Sequence, residues 1–299
     1  GSNGLVGSNL VQNLSNSNSV SEIIGSNRSD TNLFSLDETT RTIKDVNPDL
    51  IINAAAKVGG ILANNTFRTE FILENLKINI NILEALINFP STKLINLGSS
   101  CIYPLNASIP TSEESLMGGK LEPTNSPYAM AKIAAIEMGN ALKTQYGHKI
   151  INLMPTNLYG PNDNFDLNSS HVIPGLIVKF HNAIKNGSEN IEIWGTGEPK
   201  REFLYVDDLS SAVDFLLEKE WEDDLLNVGS GEEISIKKLS YLLKEITKFE
   251  GDIIFDTTKP DGNPRKLLDS GKINSLGWES STSLSSGLQK TFEWYENNY

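Results

Sequence analysis

Tyr128 and Lys132 stand four residues apart in Pro127-Tyr128-Ala129-Met130-Ala131-Lys132, and the run Ser99-Ser100-Cys101 precedes them. Four residues is about one helical turn, so the phenol and the ammonium share one helix face. A phenol of pKa ~10 is a poor proton donor at neutral pH, and a nearby cation is expected to draw it down. A serine hydroxyl can bind the same carbonyl oxygen and share its developing charge. The three groups together suit hydride transfer to or from a carbonyl. Tyr-x-x-x-Lys by itself recurs on helices by chance, so the reading needs a dinucleotide site and a serine at a strand end.

Both are present. The chain opens Gly1-Ser2-Asn3-Gly4-Leu5-Val6-Gly7, followed by the apolar helical pattern Leu10, Val11 and Leu14. Glycines at this spacing allow a tight turn, close approach to a pyrophosphate at a helix N-terminus, and close helix–sheet packing. Such a turn is expected to follow a strand, so the first, central strand of the sheet is expected to be missing from this chain. A strand-like run at 19–24 leads to Arg28, with Asp30 after it. An acid in this loop holds a ribose hydroxyl, whereas an arginine accommodates a 2′-phosphate. Arg28 comes first, which favours NADP(H), although a solvated loop arginine remains the plain alternative.

The elements that must position these groups follow from patterning. Strands are expected at 19–24, 50–54, 93–97 and 149–154, with helices at 39–46, 68–89 and 128–146. Strands separated by helices of this length imply a doubly wound parallel sheet, an α/β Rossmann architecture with ligands at the strands' carboxyl ends. Ala54-Ala55-Ala56-Lys57 and Gly98-Ser99-Ser100-Cys101 fall at such ends. Beyond residue 154 turns multiply. A strand at 204–209 leading into a helix at 208–218, a strand at 225–228, a helix at 236–249, a strand at 252–255 and a helix at 285–297 complete a smaller α/β part. Residues 1–156, with 203–228 returning to them, form the expected dinucleotide domain; 157–202 and 229–299 form the expected substrate domain.

Composition narrows the function classes. A net charge of −13 argues against a general nucleic-acid or anionic-membrane surface. No apolar run approaches the ~20 residues needed to span a bilayer. The single Cys101 excludes an internal disulfide framework and fits a reducing compartment, the cytoplasm. No Cys/His cluster has metal-ligand spacing, so no metal is expected. His148 and His181 read as surface or structural residues.

Longer strings carry a resemblance over essentially the whole chain: Ala54-Ala55-Ala56-Lys57-Val58-Gly59-Gly60-Ile61, Gly98-Ser99-Ser100-Cys101-Ile102-Tyr103-Pro104, Glu122-Pro123-Thr124-Asn125-Ser126-Pro127-Tyr128-Ala129, Met154-Pro155-Thr156-Asn157-Leu158-Tyr159-Gly160-Pro161, His171-Val172-Ile173-Pro174, Arg201-Glu202-Phe203-Leu204 and Lys259-Pro260-Asp261-Gly262. The chain resembles the extended short-chain dehydrogenase/reductase family, and within it the branch acting on GDP-4-keto-6-deoxy-D-mannose. The Ser-Ser-Cys-Ile-Tyr-Pro and His-Val-Ile-Pro strings are the specific ones.

The resemblance implies two chemistries in one pocket. The first is 3,5-epimerisation, with Cys101 as base and His171 as acid. The second is NADPH-dependent reduction of the C4 ketone to give GDP-L-fucose. There Tyr128 donates the proton, Lys132 holds the ribose and Ser99 binds the carbonyl oxygen. It also implies cofactor contacts from Gly1, Gly4, Leu5, Val6, Gly7, Pro155, Asn157, Leu158 and His171. Lys179, Arg201, Lys266 and Trp194 are implied for the GDP-sugar, with Asn157 near it. Lys179 departs from the family pattern, which has arginine there. A homodimer through the helices at 68–89 and 128–146 is implied as well. Another nucleotide-sugar epimerase or dehydratase, or a silent dinucleotide-binding module, stays open. Cys101 beside Ser100 disfavours a dehydratase, and the intact Ser99, Tyr128 and Lys132 disfavour a silent module.

Overall fold

The computed structural model of the chain describes residues 1–259 and 261–299; Pro260, in the Lys-Pro-Asp-Gly string, lies outside the described residues. In chain order the elements are α1 (Leu5–Leu14), α2 (Leu36–Val46), β1 (Leu50–Asn53), α3 (Ile61–Thr66), α4 (Arg68–Leu86), β2 (Lys93–Leu97), α5 (Ser126–Tyr146), β3 (Ile150–Pro155), β4 (Asn157–Tyr159) and α6 (Val172–Asn186). There follow β5 (Asn190–Trp194), β6 (Lys200–Tyr205), α7 (Val206–Leu217), β7 (Leu225–Val228), β8 (Glu233–Ser235), α8 (Ile236–Thr247), β9 (Asp252–Asp256), β10 (Arg265–Lys266), α9 (Gly271–Ser275) and α10 (Leu284–Asn298).

Strands rich in Ile and Leu and separated by helices form a parallel sheet, as patterning requires. Its order is β1-β2-β3-β7. Every residue of β3 is buried, which is why it shows no polar–apolar alternation and is apolar apart from Asn152. Register is pinned by a buried amide ladder. Asn53 lies opposite Asn96, and Asn96 opposite Asn152. Asn53 Nδ2 donates to Asn96 Oδ1 at 3.0 Å, and Asn96 Nδ2 to Asn152 Oδ1 at 3.1 Å. A one-residue slip would leave these buried amides unpaired, at a cost of about 1–3 kcal/mol each.

Helix ends follow local chemistry. Ser35 caps α2 by accepting from Glu38 N, with Asp37 and Glu38 in the first turn and Asn47 left-handed at the end. Gly147, at φ +75°, closes α5.

Two expectations are corrected. Residues 19–24 contain no strand: Ser19 lies in a turn and Ser21 in a bend, and no ladder reaches them, since β1 pairs only with β2 among the described strands. The strand expected at 204–209 is β6, which stops at Tyr205. Asp207 and Asp208 then occupy the first turn of α7, where the helix dipole favours acids.

A second sheet runs β10-β6-β4 with β8 antiparallel to β6, and β5 pairs with β9. Strand β6 serves both cores. Leu204 packs under the main sheet with Leu209, Val213 and Val228. Phe203 and Tyr205 face the other core with Phe180, Leu243 and Phe292. The carboxyl ends of β1, β2 and β3 therefore open towards β6 and β10, and the candidate site lies there.

Candidate active site

Strand β2 ends at Leu97, and the chain must then turn sharply past Met154. A Cβ on Gly98 would lie 2.0 Å from Met154 Cε, so any larger residue would have to displace the end of that buried side chain. Ser99 follows and caps a short 3-10 turn, Ser100–Ile102, its hydroxyl accepting from Cys101 N at 3.3 Å. Tyr128 and Lys132 lie one turn apart on α5, facing this turn. Lys132 is 2% exposed. Its ammonium donates to Leu97 O at 2.7 Å and stands 5.8 Å from the Tyr128 ring centroid. Burial lowers its pKa to about 8.

Tyr128 is buried with its ring edge-on to Phe71 at 6.3 Å. Burial raises its pKa well above the ordinary phenol value. The neighbouring Cys101 raises it further, and the Ser99 hydroxyl pulls the other way. The expected lowering by a cation does not occur, because the lysine is committed to Leu97 O and desolvation outweighs it. The phenol therefore holds its proton at neutral pH, which suits a donor to a developing alkoxide.

Cys101 packs against Phe71, Ala63 and Tyr128. The Asn125 amide donates to its Sγ at 3.4 Å, while Asn125 Oδ1 is buried with no partner. Asn125 is itself held by Glu122, whose carboxylate accepts from Asn125 N, Thr124 N and Thr124 Oγ1. Burial is the largest single effect on Glu122 and raises its pKa, but those bonds, with the Lys266 charge, together outweigh it and leave the pKa lowered. Across the cleft His171 stands at the N-cap of α6, making no side-chain cap bond. It is open to solvent at the mouth yet ringed by protein. Desolvation first, and the Lys266 ammonium second, lower its pKa. Lys266 lines one cavity with Cys101, Glu122 and Thr156. Lys266 thus lines the Cys101 cavity and also acts electrostatically on His171.

The glycine turn fits a dinucleotide. A Cβ on Gly7 would lie 2.0 Å from Gly1 O, whereas a Cβ on Gly4 would meet only Gly1 O, at 3.9 Å. Gly7 is thus glycine for packing, and Gly4 leaves open space before the α1 N-terminus, which carries Leu5 and Val6 and no side-chain cap. Arg28 is exposed, lies over the Phe34 ring at 4.9 Å and meets Glu74 at 3.6 Å. Pro155 ends β3; the Asn157 amide donates to Glu202 O at 2.7 Å, and Leu158 packs against the main core.

The remaining predicted cations form an adjacent group. Lys179 donates to Glu192 O at 2.8 Å and stands 5.8 Å from the Trp194 ring, whose other cation is Lys259 at 5.6 Å. Trp194 is 62% exposed. Burial lowers the Lys179 pKa and, for Arg201, outweighs Asp261 beside it. Arg201 lies opposite Lys266 in the β6–β10 register, so the two groups share a border.

Sequence reasoning missed several residues. Asn125 and Glu122 stood within a quoted motif without a role; the signal was a carboxylate two residues before a threonine, a local side-chain-to-backbone pattern. Lys259 likewise stood within a quoted string without a role. Asp163 follows left-handed Asn162, whose amide reaches Ser8 Oγ at 3.2 Å. Its Oδ2 is buried with no partner, and burial pushes its pKa up to about 7. His148, expected to be surface or structural, is buried and lacks a partner for either ring nitrogen.

Residues 1–229 match the profile of the NAD dependent epimerase/dehydratase family. A GDP-L-fucose synthase of Sinorhizobium fredii is 47% identical over 298 residues, covering 100% of this chain and 94% of that protein. One from Escherichia coli is 41% identical over 307 residues, covering 100% and 95%. The crystal structure of a GDP-L-fucose synthetase from Naegleria fowleri bound to NADP superposes with a TM-score of 0.91 at 28% identity, covering 100% of this chain and 93% of that one.

Proposed function

Because this chain belongs to the NAD dependent epimerase/dehydratase family, we propose that it converts GDP-4-keto-6-deoxy-D-mannose to GDP-L-fucose by 3,5-epimerisation and NADPH-dependent 4-ketone reduction. The observation that carries this reading is Cys101 set beside Ser99 and Tyr128, with His171 across Lys266.

Protons at C3 and C5 are acidic because the C4 ketone takes up the enolate charge. Ser99 and Tyr128 hold that oxygen. Cys101 removes the proton, its sulfur aimed by the Asn125 amide. His171 returns a proton on the opposite face. Burial is the larger effect lowering the His171 pKa; a substrate diphosphate beside Lys266 would offset the lesser one, the ammonium. A reduced nicotinamide, when bound, supplies hydride at C4. Tyr128 gives its proton to the same oxygen, and Lys132 stands ready to hold the ribose hydroxyls.

The remaining parts follow the same division. Gly1, Gly4, Leu5, Val6 and Gly7 cradle the pyrophosphate, Arg28 takes the 2′-phosphate, and Pro155, Asn157 and Leu158 border the nicotinamide end with His171. Lys179, Arg201, Lys266 and Trp194 hold the GDP-sugar. Residues 1–156 with 203–228 serve the dinucleotide, and 157–202 with 229–299 the sugar nucleotide. No helix among the described residues is long and apolar enough to cross a membrane. A cytoplasmic homodimer is part of the proposal; exposed Leu73, Ile80 and Met130 on α4 and α5 support that pairing face.

The test supplies GDP-4-keto-6-deoxy-D-mannose and NADPH in heavy water. Deuterium at C3 and C5 with NADPH oxidation is the expected result. Oxidation without deuterium would remove Cys101 and His171 from the chemistry, and no reaction would move the chain to another nucleotide-sugar.

A further inference from the structure

Two loops flank Gly1, and each carries a cation. Ser26 O accepts from Gly1 N at 2.7 Å and from Ser2 N at 3.1 Å, and Arg28 lies just beyond it. On the other side a Cβ on Gly1 would lie 2.6 Å from Ala54 O, and Lys57 follows in that loop. Glu74 of α4 joins the two. Its Oε1 accepts from Lys57 Nζ at 2.9 Å, and its Oε2 lies 3.6 Å from Arg28 Nη2. Farther along α4, Lys77 stands 5.8 Å from the Phe34 ring that Arg28 covers. In a chain of net charge −13, Arg28 and Lys57 thus share one carboxylate, and Lys77 shares the Phe34 ring with Arg28.

We propose that Glu74 sets the discrimination between NADPH and NADH. It rests on the reading of Arg28 as the 2′-phosphate residue. The Glu74 carboxylate occupies both cations until a phosphate replaces it. The Arg28 side chain is 76% exposed, and an exposed ion pair of this kind is weak enough to be displaced. A 2′-phosphate brings up to two negative charges and three acceptor oxygens, enough to bridge Arg28 and Lys57. A ribose hydroxyl brings no charge and cannot displace Glu74 from Arg28. It can instead donate to the carboxylate, the arrangement that favours NADH. Glu74 therefore opposes the phosphate and tolerates the hydroxyl, which narrows the preference that Arg28 creates.

The experiment is equilibrium titration of NADP+ and of NAD+ into the whole protein, with no substrate and no turnover. The proteins are the parent chain, Glu74→Gln, Arg28→Ala and the double variant. Glutamine keeps the shape and an acceptor for Lys57 while removing the charge. Glu74→Gln should tighten NADP+ about 3- to 10-fold and leave NAD+ within about twofold. The gain should shrink as salt is raised and vanish in the double variant. If Glu74→Gln changes both dinucleotides alike, changes neither, or weakens NADP+, while Arg28→Ala does collapse the NADP+ preference, the role of Glu74 is overturned alone. If Arg28→Ala leaves the ratio unchanged, the Arg28 reading is overturned and this proposal with it.

Discussion

Replacing Lys132 by methionine should stabilise the protein at neutral pH while ending ketone reduction. Lys132 is 2% exposed, and its ammonium makes one hydrogen bond, to Leu97 O at 2.7 Å. Burial lowers its pKa from 10.5 to about 8. At about 1.4 kcal/mol per unit, that displacement is a burden of roughly 3 kcal/mol at neutral pH. Methionine fills a similar volume without charge but leaves Leu97 O unpaired, a loss of about 1–3 kcal/mol. The variant should therefore gain up to about 2 kcal/mol near pH 7. Between 8 and 10.5 the unfolded lysine is protonated and the folded one is not, so the unfolded chain binds more protons. Parent stability then rises with pH through that window, the gap narrows, and above it the parent becomes the more stable protein, because its neutral lysine keeps the bond to Leu97 O. Urea midpoints of both proteins, without dinucleotide, at about pH 7, 9 and 11 would measure this, since effects of other groups cancel in the difference. A variant less stable at neutral pH, or a gap constant with pH, would refute the argument.

Cys101→Ser should cut deuterium uptake at C3 and C5 by about 10²-fold or more while leaving NADP+ affinity within about twofold; loss of both together would contradict the base role. Tyr128→Phe should slow ketone reduction by about 10²–10⁴-fold, read as NADPH oxidation, and an unchanged rate would remove the phenol as donor. Asn125→Ala should slow exchange at C3 and C5 more than reduction, because it frees the sulfur and leaves Tyr128 in place; equal slowing would make Asn125 a general packing residue. Asp163→Asn should raise thermal stability by an amount that grows from about pH 4 and is full above about pH 7. The Asp163 pKa is raised from 3.8 to about 7, so the folded chain binds the extra proton, parent stability falls as pH rises through that window, and the two proteins should converge below it. A pH-independent melting difference would contradict the buried charge.

What the sequence made legible has a physical pattern. Periodicity located β2 and β7 because their apolar residues sit at strand spacing, and it located α5 because Tyr128 and Lys132 lie on a helix closed by Gly147. It misread 19–24 because strand propensity describes one chain, while a ladder needs two. The catalytic spacing was visible because a helical turn is local. Lys266 lines the Cys101 cavity and acts on His171 although the three lie far apart in the chain, and the β6–β10 pairing and the α6 N-terminus set those positions. The phenol's protonation was misjudged for the same reason. Spacing places an ammonium near a ring, but burial and the competing Leu97 carbonyl decide where that ammonium points.

The same contacts explain how one pocket can run two reactions. Epimerisation and reduction both place negative charge on the oxygen at C4, first as an enolate and then as an alkoxide. A single pair of donors, Ser99 and Tyr128, can serve both if the phenol remains protonated through the first and releases its proton only in the second. Desolvation supplies that order, since it keeps the phenol protonated until a stronger base than an enolate forms. A phenol pulled down by Lys132 would protonate the enolate oxygen early and compete with return of the proton to carbon. The commitment of Lys132 to Leu97 O is therefore consistent with the double chemistry as well as with the fold.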